Sequence, residues 1–296
     1  MQNRLGEVLA ELRKEKKLSQ RALAEGICTQ ALISQIEKGK HLPSIEICYQ
    51  LSQRLNVSLD YLIDSSRYLN YTYIRELHHQ IKKFLRERNY EEIYSIVKIE
   101  KTSPNYKDSN FKQFILWQEG ICTYYLKSDY AHSIDLLNKA MELKHTSDLH
   151  SEREVEILHS IGIIHGEEKN NELALKFFER AKKQLSNITY LQNSTIALKI
   201  RYSTAIILTR MREYSLSLNH CEEAIKLCSE LETSYLLGEL YYHKGYNLEL
   251  LSMYDDAVVE YERSIQFFTF QNNSSFLKYT VDRINDIKNK MYEHTY

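Results

Sequence analysis

Residues that punctuate turns are scarce in this chain: eight glycines and two prolines among 296 residues. An all-β sandwich or barrel needs turn residues at short intervals, and so few exclude one. No run of 18 apolar residues occurs, which excludes a membrane-spanning helix. The start, Met1-Gln-Asn-Arg-Leu-Gly, has no apolar core of a leader, so neither export nor membrane insertion is expected. The five cysteines, Cys28, Cys48, Cys122, Cys221 and Cys228, are odd in number and form no C-x-x-C pair. They are expected to be reduced and mostly buried in a cytoplasmic protein. A net charge of −1 gives no whole-protein positive field to hold nucleic acid.

Catalytic signatures are missing too. There is no Gly-rich phosphate loop, no H-E-x-x-H and no G-x-S-x-G, so neither enzymatic activity nor a cofactor is expected. His78 and His79 are adjacent rather than a helical turn apart, and His220, Cys221 and Cys228 lack a fourth ligand nearby. Surface histidines and core thiols therefore explain them better than a metal site.

What the chain does contain is helical periodicity. Hydrophobic residues make up 43% and charged residues 27%, with Leu, Ile, Glu, Lys, Ala and Tyr in steps of three and four throughout. The expected fold is all-α. At the N-terminus Leu5, Val8, Leu9 and Leu12 give a first amphipathic helix ending near Lys17. Ser19 caps a short second helix that stops at Gly26, and Thr29 caps a third that runs to Lys38-Gly39. In the third helix Leu32 and Ile36 are expected to face inward, leaving Gln30, Ile33, Ser34 and Lys38 outward. Ser44 caps a fourth helix carrying Ile45, Ile47, Cys48, Leu51 and Leu55, and a fifth follows Ser58.

Five short helices so capped resemble the lambda-repressor-like helix-turn-helix family of XRE or Cro/C1 type. The resemblance is carried by Leu18-Ser19-Gln20, Leu23-Ala24, Ile33-Ser34-Gln35-Ile36-Glu37-Lys38-Gly39, Pro43-Ser44 and Val57-Ser58-Leu59-Asp60-Tyr61-Leu62. It implies that the helix begun by Thr29 enters the major groove of double-stranded DNA, with Gln30, Ala31 and Ser34 at base edges. Glutamine can pair with adenine through two hydrogen bonds and an alanine methyl can meet a thymine methyl. Gln20, Lys38 and Lys40 then suit phosphates. Met1–Lys40 holds eight Lys and Arg against five Glu, an excess of only three. Two copies of the head would double the phosphate contacts, so a homodimer is expected.

Past Arg67 the pattern lengthens. Tyr73, Ile74, Leu77, Ile81, Phe84 and Leu85 mark a longer helix bearing Arg75, Lys82, Lys83, Arg86 and Arg88, which is expected to link two domains. Internal repeats organise the rest: segments centred on Tyr90, Tyr130, Asn171, Tyr214 and Tyr254 are spaced by 40, 41, 43 and 40 residues. Ten residues beyond stand Glu100, Ala140, Ala181, Ala224 and Ser264, small in all but the first. Gly162 and Gly245 lie nine before their aligned positions, and Phe178 and Tyr261 seven after. The pattern resembles the tetratricopeptide repeat, and the resemblance implies a right-handed superhelix of about five helix pairs. Its concave groove would be lined by the first helix of each pair, around Trp117–Tyr125, Glu156–Ile163, Lys199–Ile206 and Glu239–Tyr246.

A helix-turn-helix head joined to such an array is similar to the peptide-pheromone, or quorum-sensing, transcription regulators of Gram-positive bacteria, the PlcR-like group. Matching stretches include Ile27-Cys28, Phe114-x-x-Trp117-Gln118, Arg201-Tyr202 and Leu240-Tyr241-Tyr242-x-x-Gly245. The resemblance implies a homodimer on a palindromic promoter site, controlled by a short signalling peptide in the groove. Carried over by position, Arg86 and Arg88 would hold carboxylates of the peptide. His159, Ser203 and Glu239 replace other polar groove residues of the group. An array that binds a protein partner instead of a peptide is the alternative. The expected organisation is a head at 1–66, a linking helix at 67–88 and the repeat domain at 89–296.

Overall fold

The computed structural model describes residues 4–67, 71–143 and 151–293. Among these the secondary structure is helical throughout, with no strand. The expected start of the linking helix abuts residues 68–70, which lie outside the described residues, as do residues 1–3. No described helix is long and apolar enough to cross a membrane. The chain divides into two compact units, Met1–Gln118 and Glu119–Tyr296.

The N-terminal unit opens with α1 (Leu5–Glu15), α2 (Gln20–Ala24), α3 (Gln30–Glu37), α4 (Ile45–Leu55) and α5 (Leu59–Arg67). Ser19, Thr29, Ser44 and Ser58 each accept a hydrogen bond from a backbone N–H of the first turn, at 3.0–3.3 Å. These bonds satisfy donors that a helix start otherwise leaves unpaired. Val8, Leu9, Leu12, Leu23, Ala24, Ile33, Ile36, Leu51, Leu55 and Leu62 form one buried core. Ile33 is the correction here: it is fully buried and Leu32 only half-buried. The inward pair of α3 is thus three residues apart, Ile33 and Ile36, because the helix is turned by its contact with α1. Ile45, placed on the apolar side of α4, is 67% exposed.

The same unit continues with α6 (Tyr71–Glu87), α7 (Tyr90–Glu100) and a 3-10 turn at Pro104–Lys107. Next come α8 (Ser109–Lys127), α9 (Tyr130–Glu142), α10 (Glu152–Glu167), α11 (Asn171–Leu185), α12 (Ile196–Arg210), α13 (Tyr214–Glu230), α14 (Leu237–Leu250), α15 (Tyr254–Phe270) and α16 (Ser274–Glu293). The aligned positions of the repeat are the first residues of α7, α9, α11, α13 and α15. Ala140, Ala181, Ala224 and Ser264 are fully buried, as close helix packing demands. The exception, Glu100, is buried as well, and its carboxylate accepts a hydrogen bond from the Tyr73 hydroxyl of α6 at 2.6 Å.

The glycine and aromatic positions of the repeat turn out to be partners. A Cβ on Gly162 would lie 2.4 Å from the Phe178 ring, and one on Gly245 would lie 2.9 Å from the Tyr261 ring. Each aromatic ring fills the space left by the missing side chain on the first helix of its own pair.

Within each pair the turn uses a residue at positive φ two positions before the second helix: Arg88, Ser128, Lys169, Arg212 and Ser252, at 52–66°. None is glycine. Around four of them a backbone bond closes the turn, such as Asn170 N–H to the His165 carbonyl and Met253 N–H to the Leu248 carbonyl, both 2.9 Å. A left-handed residue with a Cβ costs about 1–2 kcal/mol. Lys169→Gly is therefore expected to stabilise the C-terminal unit by about 0.5–1 kcal/mol, after the greater freedom of glycine in the unfolded chain is subtracted. Urea unfolding checks it; an unchanged or lower midpoint would show that the turn carries no strain.

Candidate nucleic-acid interface and peptide groove

In the N-terminal unit, the third helix presents its first residues to solvent. Thr29 is the exposed cap, Gln30 and Ala31 are exposed in the first turn, and Ser34 is half-buried one turn on. Lys38 and Lys40 are exposed beyond the helix end, and Gln20 is half-buried at the start of α2. The structure brings two of these together. The Gln30 amide donates to Gln20 Oε1 at 2.8 Å, and the Gln20 amide donates to Glu37 Oε2 at 2.8 Å.

Behind them lies a residue pair that no local spacing announces. Arg13 of α1 grips Glu37 through Nε at 2.6 Å and Nη2 at 3.0 Å, and its Nη1 donates to the Leu18 carbonyl at 2.8 Å. Burial works to raise the Glu37 carboxyl, but hydrogen bonds from Arg13 and Gln20 and the nearby charges of Arg13 and Lys14 outweigh it and hold the group below the usual carboxylate range. An ionised carboxylate can only accept, so Gln20 must turn its NH2 toward Glu37 and its oxygen toward Gln30. Gln30 is left with a free Oε1 and one N–H, the acceptor and donor that an adenine edge complements.

Two further features position α3 and α2. Gly6 of α1 lies so close to α3 that a Cβ there would stand 2.0 Å from the Ile36 carbonyl oxygen. Arg54 of α4 donates through Nη1 to the carbonyls of Ala22 at 3.1 Å and Glu25, capping the C-terminal end of α2 with a positive charge.

Also in this unit, Arg86 and Arg88 are exposed at the end of α6, and Arg88 occupies the left-handed turn position. Neither forms an ion pair among the described residues.

In the C-terminal unit the first helices of successive pairs meet side by side. His159 of α10 bonds Ser203 of α12 through Nε2 and Oγ at 2.9 Å, so two of the sequence-selected groove residues are partners. Burial, aided by the Lys199 charge, lowers the His159 imidazole to about 3, which keeps it neutral. Glu156 and Lys199 pair across the same two helices at 3.4 Å. Thr209 of α12 gathers Ser217 of α13 and His243 and Asn247 of α14 at 2.7–3.0 Å in a buried polar cluster. Burial lowers His243 to about 4. Glu239 stands in the first turn of α14.

These residues fall in a register that the repeat alignment already contained. Twelve positions before each second helix stand His78, Gln118, His159, Tyr202 and Tyr242, and fifteen before stand Arg75, Ile115, Glu156, Lys199 and Glu239. Extending the alignment upstream would have found Glu156 and Lys199, which sequence reasoning placed only at the edges of broad ranges. Among the described residues no group of three His, Cys, Asp or Glu side chains is placed to hold a metal ion. All five thiols are free, with Cys28 half-buried and the others buried.

Comparison with known proteins adds the following. The RNPP family C-terminal domain profile matches residues 78–286, and a helix-turn-helix profile matches residues 9–62. No curated protein matches the chain. Among solved structures, Bacillus thuringiensis PlcR in complex with the peptide PapR7 and DNA is 26% identical, with a TM-score of 0.85 over 94% of this chain and 99% of that one. The apo form of that PlcR is 24% identical at a TM-score of 0.69 over the same shares. ComR from S. thermophilus, in complex with DNA and its signalling peptide ComS, is 16% identical at 0.61, over 96% of this chain and 99% of that one.

Proposed function

Since the chain belongs to the RNPP family, we propose that it is a DNA-binding transcription regulator controlled by a short signalling peptide held along the first helices of its repeats. The observation that carries the reading is the likeness to PlcR bound to PapR7 and DNA, which runs through both the head and the array at 26% identity. The protein acts in the cytoplasm as a homodimer on a palindromic promoter site. Gln30, Ala31 and Ser34 read base edges, while Gln20, Lys38, Lys40 and the start of α3 at Thr29 hold the backbone. Arg86, Arg88, His159, Ser203 and Glu239 contact the peptide. Residues 1–66 serve as the head, 67–88 as the connection and 89–296 as the peptide-binding and dimerising array.

Physically, each helix pair buries its apolar face only against its neighbours, so a peptide touching several first helices fixes the curvature of the array. In a dimer that curvature sets the separation of the two heads. Both recognition helices enter one face of B-DNA only when the half-sites are about 34 Å apart or a multiple of it. A small adjustment of the groove thus changes operator affinity.

The test is selection of genomic fragments by the purified protein with and without peptide extract from the source culture. The reading expects a palindromic site whose occupancy changes with extract. Equal occupancy under both conditions removes peptide control, and no enriched site removes the DNA reading. Within that assay Gln30→Ala is expected to relax discrimination at one base pair by about 1–3 kcal/mol. A uniform loss on all sequences would instead move Gln30 to the phosphate backbone.

A further inference from the structure

The series Glu156, Lys199 and Glu239 occupies one register on α10, α12 and α14, the inner layer of the C-terminal unit. Glu156 and Lys199 neutralise each other at 3.4 Å. Glu239, next in the series, has no such partner: its Oε2 is buried and accepts no hydrogen bond. Burial pushes its carboxyl above the usual carboxylate range. Cations of the same stretch are committed elsewhere, Lys244 to Glu222 and Glu260 at 3.1 and 3.2 Å, and Arg283 to Glu249 at 2.8 Å. A buried carboxylate oxygen left unpaired is costly, and the one hydrogen bond to this carboxyl, from its own backbone, relieves it only in part.

Resting on the reading of the array as a peptide groove, we propose that Glu239 is the specificity-determining acceptor for a cationic group of the peptide. That group is an ammonium or guanidinium, from a lysine or arginine side chain or from the peptide N-terminus. It gives Glu239 the counter-charge that Lys199 gives Glu156. Burial on binding strengthens such a contact, because water no longer screens it.

The experiment uses the immobilised full-length protein and random heptapeptide libraries in two forms, one with free N-termini and one N-acetylated. Retained peptides are sequenced by mass spectrometry. Enrichment of Lys or Arg at one position by about tenfold in both libraries supports a side-chain cation, and loss of retention on acetylation supports the N-terminal ammonium. Glu239→Gln is expected to abolish whichever preference is seen. Glu239→Lys is expected to reverse it toward Asp and Glu, and the fold accepts lysine in this register at position 199. Peptides retained without cation preference, or with a preference unchanged in Glu239→Gln, overturn this inference alone. Retention of no peptide by the wild-type protein overturns the proposed function and this inference with it.

Discussion

Gly6→Ala is expected to abolish operator binding without altering any group that faces DNA. The added methyl carbon would stand 2.0 Å from the Ile36 carbonyl oxygen and 3.0 Å from its carbonyl carbon. Backbone cannot step aside as a side chain can, so α3 must move away from α1 or the head must open. Overpacking against a yielding neighbour costs about 1–3 kcal/mol, and this contact sits at or above the upper end. A domain of this size is held by only about 3–9 kcal/mol. A third or more of that reserve is consumed, and what remains folded carries a displaced α3. Hydrogen exchange of residues 4–66, measured beside operator binding, checks it. Wild-type protection and wild-type affinity together would show that α1 and α3 have room the geometry denies. The repeats provide a control. At Gly162 the obstructing group is the Phe178 ring, which can tilt, so alanine there should be felt less and should leave the head unchanged.

The contrast between these glycines marks where sequence is informative. The positions of Gly162 and Gly245 and of Phe178 and Tyr261 were visible as repeated spacings, because one pair of helices recurs and every recurrence repeats its contacts; that each ring fills the space beside its glycine is seen only in the structure. The same recurrence aligned Tyr90, Tyr130, Asn171, Tyr214 and Tyr254, which the structure shows to be the first residue of each second helix. Caps at Ser19, Thr29 and Ser44 were legible because a cap is satisfied within three residues of itself. Gly6 occurs once, and its reason lies thirty residues away in Ile36. The inward face of α3 was misassigned to Leu32 for the same cause. An eight-residue helix with apolar residues at 32, 33 and 36 offers two faces, and the packing of α1 decides between them. Among the proposed peptide contacts, His159, Ser203 and Glu239 could be selected by position. That the first two bond each other while the third is left unpaired depends on side chains from different pairs.

Arg13 and Glu37 are the strongest case of such long-range dependence, and removing one of them is expected to be the most damaging polar substitution in the head. Their side chains are 12% and 8% exposed, so either group alone would be a nearly buried uncompensated charge. Arg13→Met or Glu37→Leu should each cost about 3–5 kcal/mol, whereas the double variant should recover much of the loss, since apolar groups of similar volume can replace a buried pair at little cost. Acid provides an independent check. The Glu37 carboxyl is held below its usual value in the folded head, so its contribution is full above the unfolded value of about 4.3 and is lost as pH falls through the folded value. The head should therefore loosen in acid, and Glu37→Leu should remove that part of the pH slope. Stability and DNA reading then separate. In the double variant nothing obliges Gln20 to direct its NH2 inward, so its oxygen no longer has to face Gln30. The double variant is expected to fold and to bind DNA, yet to discriminate poorly at the base pair that Gln30 is proposed to read. Wild-type discrimination in a double variant of recovered stability would show that the chain from Arg13 through Glu37 and Gln20 does not orient Gln30.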